Sequence, residues 1–186
     1  MSRFAAALLL AFAAAGAWAA APEAETAIAV RVDIAEDVIR IDAELTIPAS
    51  AREVWDVLTD FEHIPRFISN VKSSKVLARN GNVVRVAQTG KAGFGPFSFE
   101  FKSTREVTLT PFEKLESRMT EGNMKRFRST TELETVGNAT RLTLHSESVP
   151  ETLLLLNLGR SVIESETQEH YREILREVLR RKGGGK

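Results

Sequence analysis

Between Val71 and Ser148 the chain reverses at short intervals, and this limits its fold more than any other feature. Turn chemistry recurs at Asn80-Gly81, Gly93 to Pro96, Thr110-Pro111, Glu121-Gly122-Asn123 and Gly137-Asn138. The stretches between, near 71–79, 83–90, 97–109, 114–121, 124–135 and 139–148, read as strands. Strands joined this tightly cannot run parallel, because a parallel crossover needs about a dozen residues or more. Six consecutive strands then make an antiparallel meander.

The flanks are equally patterned. TAIAVRVDI and VIRIDAELTI alternate apolar and polar residues around Ala35-Glu36-Asp37, which reads as a hairpin. In PASAREVWDVLTDF, Ser50 and Glu53 have the spacing of a capping box, and Val54, Val57, Leu58 and Phe61 form one apolar helical face. A second short helical turn, FEHIPRFI, is interrupted by Pro65. At the other end Pro150 stands where a helix can start, and about 30 residues of helical character follow. Val162, Ile163, Ile174, Leu175, Val178 and Leu179 are spaced for burial on one long amphipathic helix. The fold class expected is α+β: an antiparallel sheet, two short helices after the first strands and a long C-terminal helix.

The start of the chain has the three parts of a secretory signal: Arg3, the apolar run Phe4 to Ala15, and the small-x-small site Ala17-Trp18-Ala19. Cleavage after Ala19 leaves about 167 of the 186 residues, an exported chain of periplasmic type by its leader, with no transmembrane span. An uncleaved anchor is the competing reading, and without cysteine the lipoprotein route is closed. No internal repeat or linker divides what remains, so residues 27–181 form one domain, with 182–186 a solvated tail.

Charge and residue inventory exclude several functions. Lys plus Arg and Asp plus Glu both number 25, and no basic stripe with interleaved aromatics occurs, which argues against a nucleic-acid partner. Without cysteine there is no thiolate ligand or nucleophile. The three histidines, His63, His145 and His170, fall on different elements without paired ligand spacing, so neither metal nor cofactor is expected. Phosphate-loop, dinucleotide and serine-elbow motifs are absent, GKAGFG lacking both spacing and a following helix.

One strand stands out. GFGPFSFEFKS sets Phe97, Phe99 and Phe101 on one face, which continues through Ser103 and Arg105 to Val107 and Leu109. Later strands turn inward Leu115, Ser117 and Met119, then Phe127, Ser129, Thr131 and Leu133, then Leu142, Leu144, Ser146 and Ser148. A solid core fills such positions with apolar groups, because an unpartnered buried polar group costs about 1 to 3 kcal/mol. The long helix is interrupted likewise, by Thr167 and His170 beside Tyr171, the only tyrosine. Both surfaces turn polar at mid-length, as a cavity with a few convergent polar groups requires. Two blander accounts stand beside this one: hydroxyls bonded to backbone or lying in water at strand ends, and a bulge near Ser103-Thr104 that turns Arg105 outward.

This element order, together with VWDVLTDFEHIPRFISNVKSSKVL, GFGPFSFEF, Pro111 before EKLESRM, and GNATRLTLH, resembles the START-like (SRPBCC) superfamily, in its polyketide cyclase and coenzyme Q-binding branch, over roughly residues 38–180. The resemblance implies a helix-grip fold, a curved sheet wrapped around the C-terminal helix with a deep hydrophobic cavity between them. It implies lipid, isoprenoid, sterol or aromatic polyketide ligands. The export signal is a departure, since coenzyme Q-related and ribosome-directed bacterial relatives work inside the cell.

Three functions follow as expectations. A carrier or sensor would line its pocket with Phe97, Phe99, Phe101, Met119, Phe127 and Leu144. Arg105, Thr131, Thr167 and His170 would hold the ligand's polar end beside Tyr171, and Phe67 would stand at the portal near Trp55, Phe61 and Ile64. A cyclase or hydrolase would use His170 as base and Arg105 to stabilise an enolate; against it, His170 can be satisfied by Glu166, and Arg105 by a carboxylate or by snorkelling to the cavity mouth. An interaction module would pack the phenylalanine face solidly against Ile163 and Ile174.

Overall fold

The computed structural model describes residues 26–94, 97–151 and 159–184, and the backbone alone over 92–94 and 97–99. The expected export signal and the side chains of Phe97 and Phe99 lie outside the described residues. Strands β1 (Ala29–Ala35) and β2 (Val38–Ile47) precede helix α1 (Ala51–Leu58) and a 3-10 helix (Phe61–Arg66). The meander follows as β3 (Val71–Asn80), β4 (Val83–Phe94), β5 (Phe97–Thr110), β6 (Lys114–Gly122), β7 (Met124–Val136) and β8 (Ala139–Pro150), and α2 (Arg160–Gly184) ends the fold. The eight strands form one antiparallel sheet in the order β1-β2-β8-β7-β6-β5-β4-β3. This is the helix-grip arrangement expected from the sequence.

Local chemistry sets the short elements as expected. The Ser50 amide donates to Glu53 Oε2 at 2.7 Å and the Glu53 amide to Ser50 Oγ at 3.3 Å, so the capping box closes α1. Val54, Trp55 and Val57 face inward from it. The core they enter includes Leu45, Ile47, Val84, Val86, Leu142 and Val178, each at most 1 % exposed. Within it Thr140 donates its hydroxyl to the Ala49 carbonyl at 2.8 Å, joining β8 to the entrance of α1.

Two expectations about the C-terminal region are corrected. Pro150 is the last residue of β8, buried and paired with Met124, rather than a helical residue; α2 is described from Arg160, and the expected helix start over 152–158 lies outside the described residues. A proline's fixed φ suits a strand end as well as a helix start, and here pairing with β7 decides. Leu179 is not buried but 39 % exposed, because the inward stripe runs Tyr171, Ile174, Leu175, Val178 and the next residue is rotated about 100° away from it.

Polar groups clamp α2 to the segment after α1. Both Glu173 carboxylate oxygens accept from the Ser69 amide at 3.2 Å, and Arg181 bonds Asp60 at 2.7 Å. Glu177 is bonded by Arg180 and Arg181, which holds its carboxyl down from an ordinary 4.5 to about 2 against the opposing effect of burial. A carboxyl depressed in the folded state stabilises fully above its unfolded pKa, and that contribution is lost as pH falls from about 4.5 toward 2. The exposure of Arg180 lets solvent screen the pair. Glu177→Gln is therefore expected to remove about 1 to 2 kcal/mol at neutral pH and to flatten the stability profile over that acid window. Denaturant titrations at pH 7, 4 and 2.5 check this, and a parent and variant that lose stability in parallel would contradict it.

Two neighbouring strands part before their ends. The β6–β7 ladder stops at Arg118 opposite Arg128, although β7 and β8 stay paired to the end. The turn beyond is tied to β5 instead: the Asn123 amide donates to the Lys102 carbonyl (3.1 Å), its side chain donates to the Glu100 carbonyl (2.7 Å), and its Oδ1 accepts from the Lys102 amide (3.0 Å).

Candidate functional site

A cavity of about 380 Å³ lies between the sheet and α2. Its apolar wall is built by Phe61, Ile64, Phe67 and Ile68 from the segment after α1, by Phe101, Val107, Met119 and Phe127 from β5 to β7, and by Ile174 from α2. Space remains because strands β6 and β7 present small side chains inward: Ser117 and Ser129 are cross-strand partners, and Thr131 is opposite Leu115. Where β6 and β7 no longer pair with each other they contribute Met119, Met124 and Phe127, and the lining reaches the exposed Lys102 and Asn123 at that end.

Arg105 points into this space. A bulge does occur beside it, between Thr104 and Arg105 in the β5–β6 register, but β6 supplies the extra residue, Thr120, whose hydroxyl donates to the Thr104 carbonyl at 3.2 Å. The bulged strand absorbs the kink, so β5 keeps its alternation and Arg105 keeps its inward face. Its Nη2 donates to Gln88 Oε1, and Gln88 Nε2 donates in turn to Ser74 Oγ at 3.1 Å. The guanidinium carbon is 5.9 Å from the centre of the Phe127 ring. Nε is buried with no partner, and no carboxylate lies within ion-pair distance among the described residues.

Burial lowers the Arg105 pKa to about 10, which leaves it charged at neutral pH. Burial, and then the charge of Arg105, lowers His170 to about 4, so its imidazole is neutral. Both side chains are half-buried and both line the cavity. The His170 ring stands edge-on to Tyr171, centroids 5.5 Å apart, and burial raises the Tyr171 hydroxyl above its ordinary value of 10. Ser117 Oγ is buried without a hydrogen bond. Ser117→Ala is expected to stabilise the ligand-free protein by about 1 kcal/mol, since an unsatisfied hydroxyl is removed without opening a large void. A melting curve with no gain would mean that the hydroxyl is partnered in solution.

Phe67, Phe101, Arg105, Met119, Phe127, Thr131, His170 and Tyr171 are thus brought together in one lining. Two other expected residues are not. Leu144 packs, partly buried, against the hydrophobic core outside the lining, and Thr167 donates its hydroxyl to the Ile163 carbonyl at 2.7 Å within its own helix. His63 and His145 are on the surface, bonded to Asp60 and Asp42 at 2.7 and 2.6 Å. Sequence reasoning missed Gln88 and Asn70. Gln88 has a signal, because it continues the inward positions Val84 and Val86 as a buried polar residue on an apolar face. Among the described residues no cluster of histidine and acidic side chains stands ready for a metal ion, and no helix is long and apolar enough to cross a membrane.

Comparison with known proteins places this geometry. No curated protein matches the chain. Among solved structures, TTHA0849 from Thermus thermophilus is similar at TM-score 0.66 and 21 % identity, over 75 % of this chain and 97 % of that one. The Zhui aromatase/cyclase from Streptomyces sp. R1128 is similar at TM-score 0.66 and 16 % identity, over 77 % and 95 %. A STAR-related lipid transfer protein from Xanthomonas axonopodis is similar at TM-score 0.66 and 12 % identity, over 86 % and 97 %. At these identities the likeness is one of fold. The family described as polyketide cyclase / dehydrase and lipid transport matches residues 47–170, which takes in α1, the whole meander and α2 as far as His170. The chain belongs to that family.

Proposed function

We propose that the protein is a carrier or sensor that holds an apolar small molecule, of lipid, isoprenoid or aromatic polyketide type, in the cavity between sheet and α2. The single observation that carries this reading is the open space of about 380 Å³, walled mainly by aromatic and aliphatic side chains and converging on a few polar groups. A module with a filled core would leave no such space. The family description, which includes lipid transport, and the likeness to a STAR-related lipid transfer fold support the same reading. Segment Arg3 to Ala19 would act as the export signal, placing the carrier outside the cytoplasm.

The enzyme reading rests on Arg105 and His170 sharing the cavity, as a cyclase would need. A histidine held at about 4 is a poor base near neutrality, where an effective catalytic pKa lies close to the operating pH. Binding without chemistry is the better match. The test is native mass spectrometry of protein recovered from the periplasm, followed by organic extraction. A discrete apolar mass that comes off the protein supports the carrier; an empty protein that also excludes a neutral fluorescent probe overturns it.

A further inference from the structure

We infer that the molecule held in this cavity is an amphiphile with a singly charged anionic head group, a carboxylate by preference, whose oxygens meet the guanidinium of Arg105. The inference rests on the cavity-binding reading above and names the class of ligand. Its basis is an uncompensated charge. A buried cation is retained against a large desolvation cost only when something answers it. Here the protein answers Arg105 with a neutral amide and an aromatic face, the Oε1 of Gln88 and the ring of Phe127, and with no carboxylate among the described residues.

The arrangement orients the guanidinium without neutralising it. Gln88 is itself fixed by its bond to Ser74 and occupies Nη2 of Arg105, while Nη1 has no hydrogen-bond partner among the described residues and is not closed off. A carboxylate can accept there a charge-assisted hydrogen bond that the protein itself does not use. One guanidinium matches one negative charge, whereas a phosphate dianion would bury an excess. At roughly 30 Å³ for each water-sized group, the space takes about a dozen such groups, the size of a ten-carbon chain with its head.

The experiment compares decanoate with decanol, equal in chain length and differing in head-group charge, by displacement of the neutral dye N-phenyl-1-naphthylamine. It uses the mature protein and two variants whose folding is verified by circular dichroism. Decanoate is expected to bind the parent at least about tenfold more tightly than decanol. In Arg105→Met that preference falls to near unity through weaker decanoate binding. Gln88→Glu, which supplies the missing carboxylate internally, has the same effect without removing the arginine. Equal affinities in the parent, or a preference that survives in both variants, overturn the anionic head group while the cavity reading stands. A parent that takes up neither the dye nor decanol overturns the cavity reading itself, and the head-group assignment with it.

Discussion

A Gly90→Ala protein is expected to melt roughly 5 to 15 °C below the parent, a loss of about 2 to 4 kcal/mol for one added methyl group. The reason is a close approach of two chain segments. A Cβ built on Gly90 would lie 2.1 Å from the Asn70 carbonyl oxygen and 2.5 Å from two ring carbons of Phe101. Neither neighbour has an easy retreat. The Asn70 carbonyl accepts from the Lys91 amide at 2.9 Å, and Phe101, the register partner of Gly90, is packed against the core. Real Cβ contacts do not occur at such distances, so the segment carrying Phe67, Ile68 and Asn70 must move off the sheet. Because that segment walls the cavity, dye uptake should fall with stability. Thermal melts of the two proteins measure the first effect, and a shift under about 2 °C would mean that Asn70 yields freely.

The second large effect is on binding with stability kept. Replacing Ser117 and Ser129 together by phenylalanine is expected to lower the affinity for N-phenyl-1-naphthylamine at least about tenfold while the melting temperature holds or rises. The two serines are cross-strand partners under the cavity, and exchanging their hydroxyls for two phenyl rings adds roughly ten heavy atoms net, enough to occupy most of the space. New apolar contact stabilises, and loss of the unpartnered Ser117 hydroxyl helps, whereas imperfect fit costs about 1 to 3 kcal/mol. A double variant that keeps parental dye affinity would place the dye elsewhere and detach the cavity from the function proposed for it.

Much of the fold is legible in the chain itself, and particular residues say why. Ser50 and Glu53 act within one helical turn, so their capping box depends on nothing distant. The strand alternation and turn residues likewise act between neighbours, which is why the eight strands fall close to their expected places. Pro150 shows the limit, because its backbone suits two local structures and only pairing with Met124 selects one. Site residues divide in the same way. Arg105 is conspicuous as a charge on an apolar face. Thr167 is equally conspicuous, yet a mid-helix threonine has its own i−4 carbonyl within reach and takes it. Leu144 has the right alternation but faces packed core at its height in the sheet.

By itself, then, the sequence determined the class of fold, the order of its elements and which face of each strand turns inward, because these follow from periodicity and turn chemistry over a few residues. Only the tertiary structure decided which inward positions meet another side chain and which meet open space. That depends on how far α2 and the Phe61–Asn70 segment stand from the sheet, a distance set by contacts between residues remote in the chain: Glu173 with the Ser69 amide, Arg181 with Asp60, Gly90 against Asn70. It also decided that Arg105 is answered by the neutral Gln88. The pairing of β4 with β5 brings those two side chains together, and no local pattern records it.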